Sequence, residues 1–243
     1  MTERFFINEK IQDSQDEIVI SDIDLIHQVS RVLRKKAGDI VIVLDNSGFE
    51  FKCEIRQIVK NFLLLKILNK EKNNNEPSII LSLYQSLVKK DKMELIFEKC
   101  TEIGVSKFYP IISEHSVKLF LKVDRARKIL KEATEQSQRG VVPKLADILK
   151  FKEAIMGCKG DSLNIIFYEK EKLEKITDFL IDNKERLGNI REINIFIGPE
   201  GGFSEEEIGI AREKGFILLS LGGRILRAET AAIIASAFFV LER

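Results

Sequence analysis

The chain has 243 residues, 44% of them apolar, with 39 Lys and Arg against 38 Asp and Glu for a net charge of +1. That is core material for one large domain or two small ones, and so even a charge balance excludes capture of nucleic acid by a global field, leaving only local basic patches. No apolar run is long enough to span a bilayer, and the charged N-terminus lacks a signal-peptide core. The isolated Cys53, Cys100 and Cys158 with only His27 and His115 offer neither a disulfide framework nor a metal centre, so a cytoplasmic protein with free thiols, no metal and no membrane is expected.

Residues 1–70 read as a small β-rich unit. RFFI, EIVIS, DIVIVLDN, FEFKCEIRQIV and FLLLKIL are short β-favouring segments, with Asp45-Asn46-Ser47-Gly48 supplying turn chemistry, and many short strands suggest a barrel or sandwich. Between them, residues 27–39 predict a short helix with Val29, Val32 and Leu33 inward, stopped by Gly38. Its basic end, Arg34, Lys35 and Lys36, complements the helix dipole, yet three adjacent cations exceed what capping needs and suit a phosphate backbone. Residues 71–77, with three consecutive Asn and Pro77, read as a linker to a second domain over 78–243.

From Ser78 strands alternate with helices, which calls for a mostly parallel sheet covered on both faces. IILSLYQ is a buried-strand run, followed by a helix over 91–103 with Met93, Ile96, Phe97 and Cys100 at helical spacing, a stop at Gly104 and a strand over 107–112. A helix over 124–139 buries Ala126, Ile129, Leu130 and Ala133 and ends in polar Glu135, Gln136, Gln138 and Arg139. A strand over 163–167 leads to Tyr168 and Glu169, and a charged helix over 173–187 follows.

Residues 193–230 then form a βαβ unit with two glycine-containing loops, GPEGG and LGGRILRAET, at one sheet edge. In open α/β sheets ligands sit outside the carboxyl ends of the strands, so both loops are placed to share a pocket. Walker and GxGxxG spacings are missing. Ser204 to Glu207 has capping-box form, and Glu205, Glu206 and Glu207 complement the helix dipole and repel phosphate, so the pocket suits an uncharged or cationic ligand. In the second loop, Thr230 is placed to cap a final helix over 231–242 and Glu229 to complement its dipole; that does not explain Arg224 and Arg227, planar donors suited to carbonyl oxygens, carboxylates or phosphates.

IGPEGGFSEEEI followed by LGGRILRAETA closely resembles the RsmE group of SPOUT methyltransferases. The likeness extends to EKCTEIGVSKFYPIISEHS (98–116), EATEQSQR (132–139), RFF (4–6) and HQVSRVLRKKAGD (27–39), with His115 standing where that family commonly has Arg. The resemblance implies a C-terminal α/β SPOUT domain with a parallel sheet and a trefoil knot, an N-terminal PUA-like β-barrel for RNA, and a homodimer. It also implies S-adenosylmethionine-dependent methylation of uridine N3 in small-subunit (16S) ribosomal RNA. Carried over, the cofactor pocket is built from the strand end Phe167 to Glu169, Ile197 to Gly202 and Leu221 to Leu226, with Tyr168, Ile197, Gly198, Pro199, Gly201, Gly202, Leu221, Gly222, Ile225 and Leu226 as its cofactor contacts. Arg227 is expected to stabilise the uracilate and Glu229 or Glu200 to take the imide proton, while Arg4, Arg31, Arg34, Lys35, Lys36, Arg139 and Arg224 contact RNA. The alternatives are a methyltransferase with another RNA target and a non-catalytic RNA-binding assembly protein.

Overall fold

Alternating apolar residues build the first sheet. Among the described residues it has five strands, β1 (Arg4–Phe6), β2 (Glu17–Ile20), β3 (Ile40–Leu44), β4 (Phe49–Ile58) and β5 (Leu63–Lys72), in the order β1-β3-β4-β5-β2. Only β1 and β3 run parallel. Val41, Val43, Phe51, Cys53, Ile55 and Leu65 point to one side and are buried together, as a period of two demands. Register shifts between Lys52 and Cys53 and between Ile55 and Gln57 curl the long β4–β5 pair around that core. The expected turn after β3 is present: Asp45 accepts the Ser47 hydroxyl and the backbone N–H groups of Ser47 and Ile11, and Asn46 and Gly48 take positive φ. Burial alone would raise the Asp45 carboxyl, but those donors outweigh it and hold it below the usual carboxylate range.

The computed structural model describes residues 2–170 and 174–241. They divide into two compact units, the described residues up to Glu76 with Thr134–Val142, and Pro77–Ala133 with the described residues from Pro143 on.

Four features of the first unit depart from the sequence expectation. The helix before β3 begins earlier, as α1 (Ile23–His27) capped by Asp22, and continues as a π-helical turn over Gln28–Val32. The wider turn keeps Val29 and Leu33 on the core side but rotates Val32 outward, 65% exposed, so Val32 is not an inward residue. The helix has also ended well before Gly38, which with φ of 92° instead turns the chain toward β3. The expected linker is built into the unit: β5 runs to Lys72, Asn73 is buried and donates to the Gln138 carbonyl at 2.9 Å, and Glu76 accepts backbone N–H groups of Gly140 and Val141. Its asparagines and glutamate serve as hydrogen-bond partners for the returning segment rather than as a flexible spacer.

The second unit carries β6 (Ile80–Ser86), α2 (Lys90–Ile103), β7 (Lys107–Ile112), α3 (Val123–Gln136) as far as Ala133, β8 (Lys144–Leu145), β9 (Leu149–Lys150), α4 (Phe151–Gly157), β10 (Leu163–Phe167), α5 (Ile176–Asp182), α6 (Lys184–Asn189), β11 (Glu192–Ile197), α7 (Glu205–Glu213), β12 (Ile217–Leu219) and α8 (Ala228–Val240). The strands lie in the order β12-β10-β11-β6-β7-β8, with β9 also on β7, all parallel. β6 and β11 sit in the middle, buried on both faces, which is why they read as continuous apolar runs. From β12 at the sheet's edge the chain returns inward to pack α8 on α2, β6 and β11.

The helices of this unit also depart in places. α3 stops at Gln136, short of Arg139, because Gln138 takes a φ of 60°. The helix expected over 173–187 is two helices parted at Asn183, and its expected start at Leu173 lies outside the described residues. α8 starts at Ala228 with Arg227 as its N-cap, so Thr230 lies inside the first turn and does not cap; the expected end at Glu242 lies outside the described residues. The three thiols are free, and burial pushes Cys53 and Cys100 to about 12 and Cys158 to about 11. No helix among the described residues is long and apolar enough to cross a membrane.

Gly104 ends α2 with φ of 122°, its N–H shared between the Cys100 and Thr101 carbonyls, and a Cβ there would collide with the Pro77 ring. Gly104→Ala is therefore expected to lose about 1–3 kcal/mol of stability, read as a lower urea midpoint with an unchanged slope. An unchanged midpoint would contradict this packing.

Candidate active site

Three strands end together at the sheet's edge, and the loops after them enclose a cavity of about 240 Å³. β10 leads to Phe167, Tyr168 and Glu169, β11 to Ile197, Gly198, Pro199, Glu200 and Gly202, and β12 to Ser220, Leu221, Gly222, Arg224, Ile225, Leu226 and Arg227; Lys92, Ala228 and Ala231 complete the wall. GPEGG and LGGRIL do share one pocket. Gly201 is not in its wall and instead faces the His115 ring, while Glu229 stands in the first turn of α8 and reaches the pocket only through Lys92.

Two glycines are favoured here, Gly202 by its positive φ and Gly198 by its close neighbours. A Cβ on Gly202, whose φ is 69°, would occupy the position of the Glu169 carboxylate, and one on Gly198 would press on the Gly202 backbone. The loop is then held from outside the pocket. Ser204 accepts the Glu207 N–H, and Glu207 Oε2 accepts the Ser204 N–H, which is the expected capping box. The other oxygen of Glu207 accepts the Glu114 N–H at 2.9 Å, tying α7 to the loop after β7. The next residue, His115, directs Nδ1 at the Gly201 and Gly202 carbonyls, 3.1 and 3.2 Å away, so that nitrogen carries the proton and donates.

The charged groups are arranged around Lys92. Its ammonium is 3.0 Å from Glu200 and 3.8 Å from Glu229. Burial alone would raise the Glu200 carboxyl, but its own backbone N–H, Lys92 and the Lys89 backbone prevail and hold it below the usual range, so it is a fixed negative charge and a poor proton acceptor. Glu229, with its side chain 12% exposed, keeps Oε2 buried without a hydrogen-bond partner. Arg224 and Arg227 are exposed on the wall. The cavity thus combines aliphatic surface, two carboxylates in its wall (Glu169 and Glu200) and guanidinium donors, without a phosphate cradle.

The basic residues expected to meet RNA divide in two. Arg31, Arg34 and Lys36 are exposed, and Arg34 holds a φ of 54°. Lys35 is paired with Glu3 at 2.7 Å and Arg4 is half-buried against Glu50. Arg139 is 3% exposed and bridges to both oxygens of Glu76, so its guanidinium is a structural tie within the first unit and not an RNA contact.

A family model described as an RNA methyltransferase domain matches residues 74–240. The chain belongs to the RNA methyltransferase family. A second model, an RNA methyltransferase PUA domain, matches residues 31–68 of this methyltransferase. It is 30% identical over 240 residues to the ribosomal RNA small subunit methyltransferase E of Bacillus subtilis, covering 96% of this chain and 94% of that one. A crystal structure of ribosomal RNA small subunit methyltransferase E from Neisseria gonorrhoeae bound to S-adenosyl methionine is similar at 28% identity and a TM-score of 0.85, covering 98% and 96% of the two chains. A Legionella pneumophila methyltransferase in complex with the same cofactor is similar at 27% identity and a TM-score of 0.86, covering 98% and 97%.

Lys92 and His115 have site positions in the methyltransferase that the loop motifs did not indicate, whereas Glu169 stands at the strand end expected to join the pocket. Lys92 had a signal: Lys89, Lys90 and Lys92 crowd the start of α2, against the helix dipole, which favours acids there. Glu207→Ala is expected to lose about 1–3 kcal/mol and the exchange protection of the Glu114 amide, because it empties both the cap and the cross-loop bond. Unchanged Glu114 exchange, read by NMR, would show that the loops are held some other way.

Proposed function

We propose that this protein transfers a methyl group from S-adenosylmethionine to N3 of a uridine in small-subunit (16S) ribosomal RNA, in the cytoplasm, as a homodimer. The observation that carries the reading is the single pocket formed by GPEGG and LGGRILRAET, glycine-lined, without a phosphate cradle and with Arg227 in its wall. The residues fit the cofactor: Ile197, Leu221, Ile225 and Leu226 offer apolar surface to an adenosine, and Glu169 and Glu200 offer negative charge to a sulfonium. When bound, the cofactor supplies an electrophilic methyl group.

The chain's own task is to make N3 nucleophilic. Uracil N3 is an imide nitrogen that carries a proton at neutral pH, so the proton must leave as the N–C bond forms. Arg227, held at the N-cap of α8, stabilises the negative charge that spreads onto a flanking carbonyl oxygen. Of the two carboxylates proposed as proton acceptor, Glu200 lines the pocket and is held ionised by Lys92, while Glu229 lies behind Lys92 with its Oε2 buried, without a hydrogen bond and 3.8 Å from that ammonium, so a proton reaches Glu229 only by way of Lys92. Arg224 positions the RNA at the pocket mouth, and Arg31, Arg34 and Lys36 contact its phosphates. A second copy is supported by α8, which is apolar all round: Ile233, Ile234, Ala237 and Phe238 remain half-buried in one chain and Leu241 stays exposed just beyond.

Arg227→Ala is expected to lower kcat about 10²–10³-fold with cofactor affinity unchanged, measured by calorimetry and by mass spectrometry of 3-methyluridine in ribosomal RNA. Near-normal turnover would remove Arg227 from the reaction, and a methylated nucleoside other than 3-methyluridine would change the target. Neutralising Arg31, Arg34 and Lys36 together is expected to flatten the salt dependence of RNA binding by about three counterions while methylation at saturating RNA persists. An unaltered slope would move the phosphate contacts elsewhere.

A further inference from the structure

The segment between β7 and α3 is unusual for a surface. Val117, Leu119 and Phe120 are 89%, 61% and 62% exposed, and the same stretch is strongly basic: residues 117–131 contain Lys118, Lys122, Arg125, Arg127, Lys128 and Lys131 against Asp124 as the one acid. Arg125 is engaged by Glu94 and Lys128 by Glu132, but Lys118 and Lys122 make no ion pair among the described residues. The Lys118 ammonium lies 5.0 Å from the centroid of the Phe120 ring.

The segment starts at an active-site loop and lies against α2 further along. It begins just after His115, which bonds the Gly201 and Gly202 carbonyls, and five residues of chain from there to Phe120 reach at most about 18 Å. Lys118, Phe120, Lys122 and Arg125 also border a shallow depression with Lys90, Met93 and Glu94 of α2, the helix whose Lys92 faces the catalytic pocket. Cations around an exposed ring beside the pocket match what single-stranded nucleic acid requires, since every base has a face to stack and every linkage a phosphate to neutralise. A second copy of the chain fits less well, because self-pairing would set these uncompensated lysines against their own equivalents.

We propose that residues 117–128 dock the single-stranded RNA flanking the target base, with Phe120 as the stacking platform and Lys118 and Lys122 as phosphate contacts. The proposal rests on the reading that the neighbouring pocket methylates RNA. Nothing in the paired glycine motifs encodes this surface, and it assigns a role to residues outside them.

The chain contains no tryptophan, so Phe120→Trp introduces a sole indole reporter at an exposed position. Titration of the full-length variant with a short single-stranded oligouridylate is expected to quench its fluorescence saturably, with a midpoint that weakens as salt rises. Phe120→Ala is expected to raise KM for a ribosomal RNA fragment about tenfold, leaving kcat, cofactor affinity and thermal midpoint unchanged, and Phe120→Trp to retain the wild-type KM. An indole insensitive to RNA, or one that responds only to protein concentration as a subunit contact would, overturns the proposal, as does a Phe120→Ala enzyme with wild-type KM. Quenching by RNA in a protein that transfers no methyl group would instead overturn the methylation reading and leave the surface standing.

Discussion

The Glu207 carboxylate holds the pocket's outer framework together. One oxygen closes the cap of its own helix and the other takes the backbone of Glu114, whose neighbour His115 reaches back to two carbonyls of GPEGG. The chain from Gly201 through α7 to the loop after β7 and back is thus a closed circuit of hydrogen bonds. A glycine-rich loop with several φ/ψ options per residue is not a fixed wall by itself. Bonded from outside, it presents its inner face to a ligand without spending side chains there, and the inner face can stay small.

Charge within the site obeys the same economy. Lys92 sits where a helix disfavours a cation by about 0.3–1 kcal/mol. It is compensated locally by Glu200 and Glu229, which approach from the GPEGG loop and the first turn of α8. Three segments distant in sequence therefore meet at one ammonium. The two carboxylates are unequal because their surroundings are: Glu200 has backbone donors as well as Lys92, whereas Glu229 has a buried oxygen with no hydrogen bond.

Much of this was legible in the amino-acid order. Continuous apolar runs in β6 and β11 signal strands buried on both faces, and the S-x-x-E pattern at Ser204 signals the cap that forms. What escaped depended on tertiary partners. Val32 faces solvent because a π-helical turn changes the angular step, which apolar spacing cannot reveal. Arg139 reads as an exposed polar helix end and is buried because Glu76, 63 residues earlier, meets it. Asparagine-rich residues 73–75 have a linker's composition, yet Asn73 and Asn75 both donate to Gln138. His115 entered the site through packing between loops, for which no local pattern exists.

The first unit is discontinuous: its strands end at Lys72, but Thr134–Val142 belongs to it as well. Glu76 and the Asn75 side chain find partners in that later stretch, and Asn73 adds the Gln138 carbonyl there to its bond with Glu50. During synthesis the N-terminal sheet therefore emerges long before the residues that complete it, and its tail must wait with unsatisfied hydrogen-bonding groups while part of the second unit is made. The order of translation and the order of folding are thereby offset, and the N-terminal unit cannot be inherited, excised or exchanged as a simple leading segment.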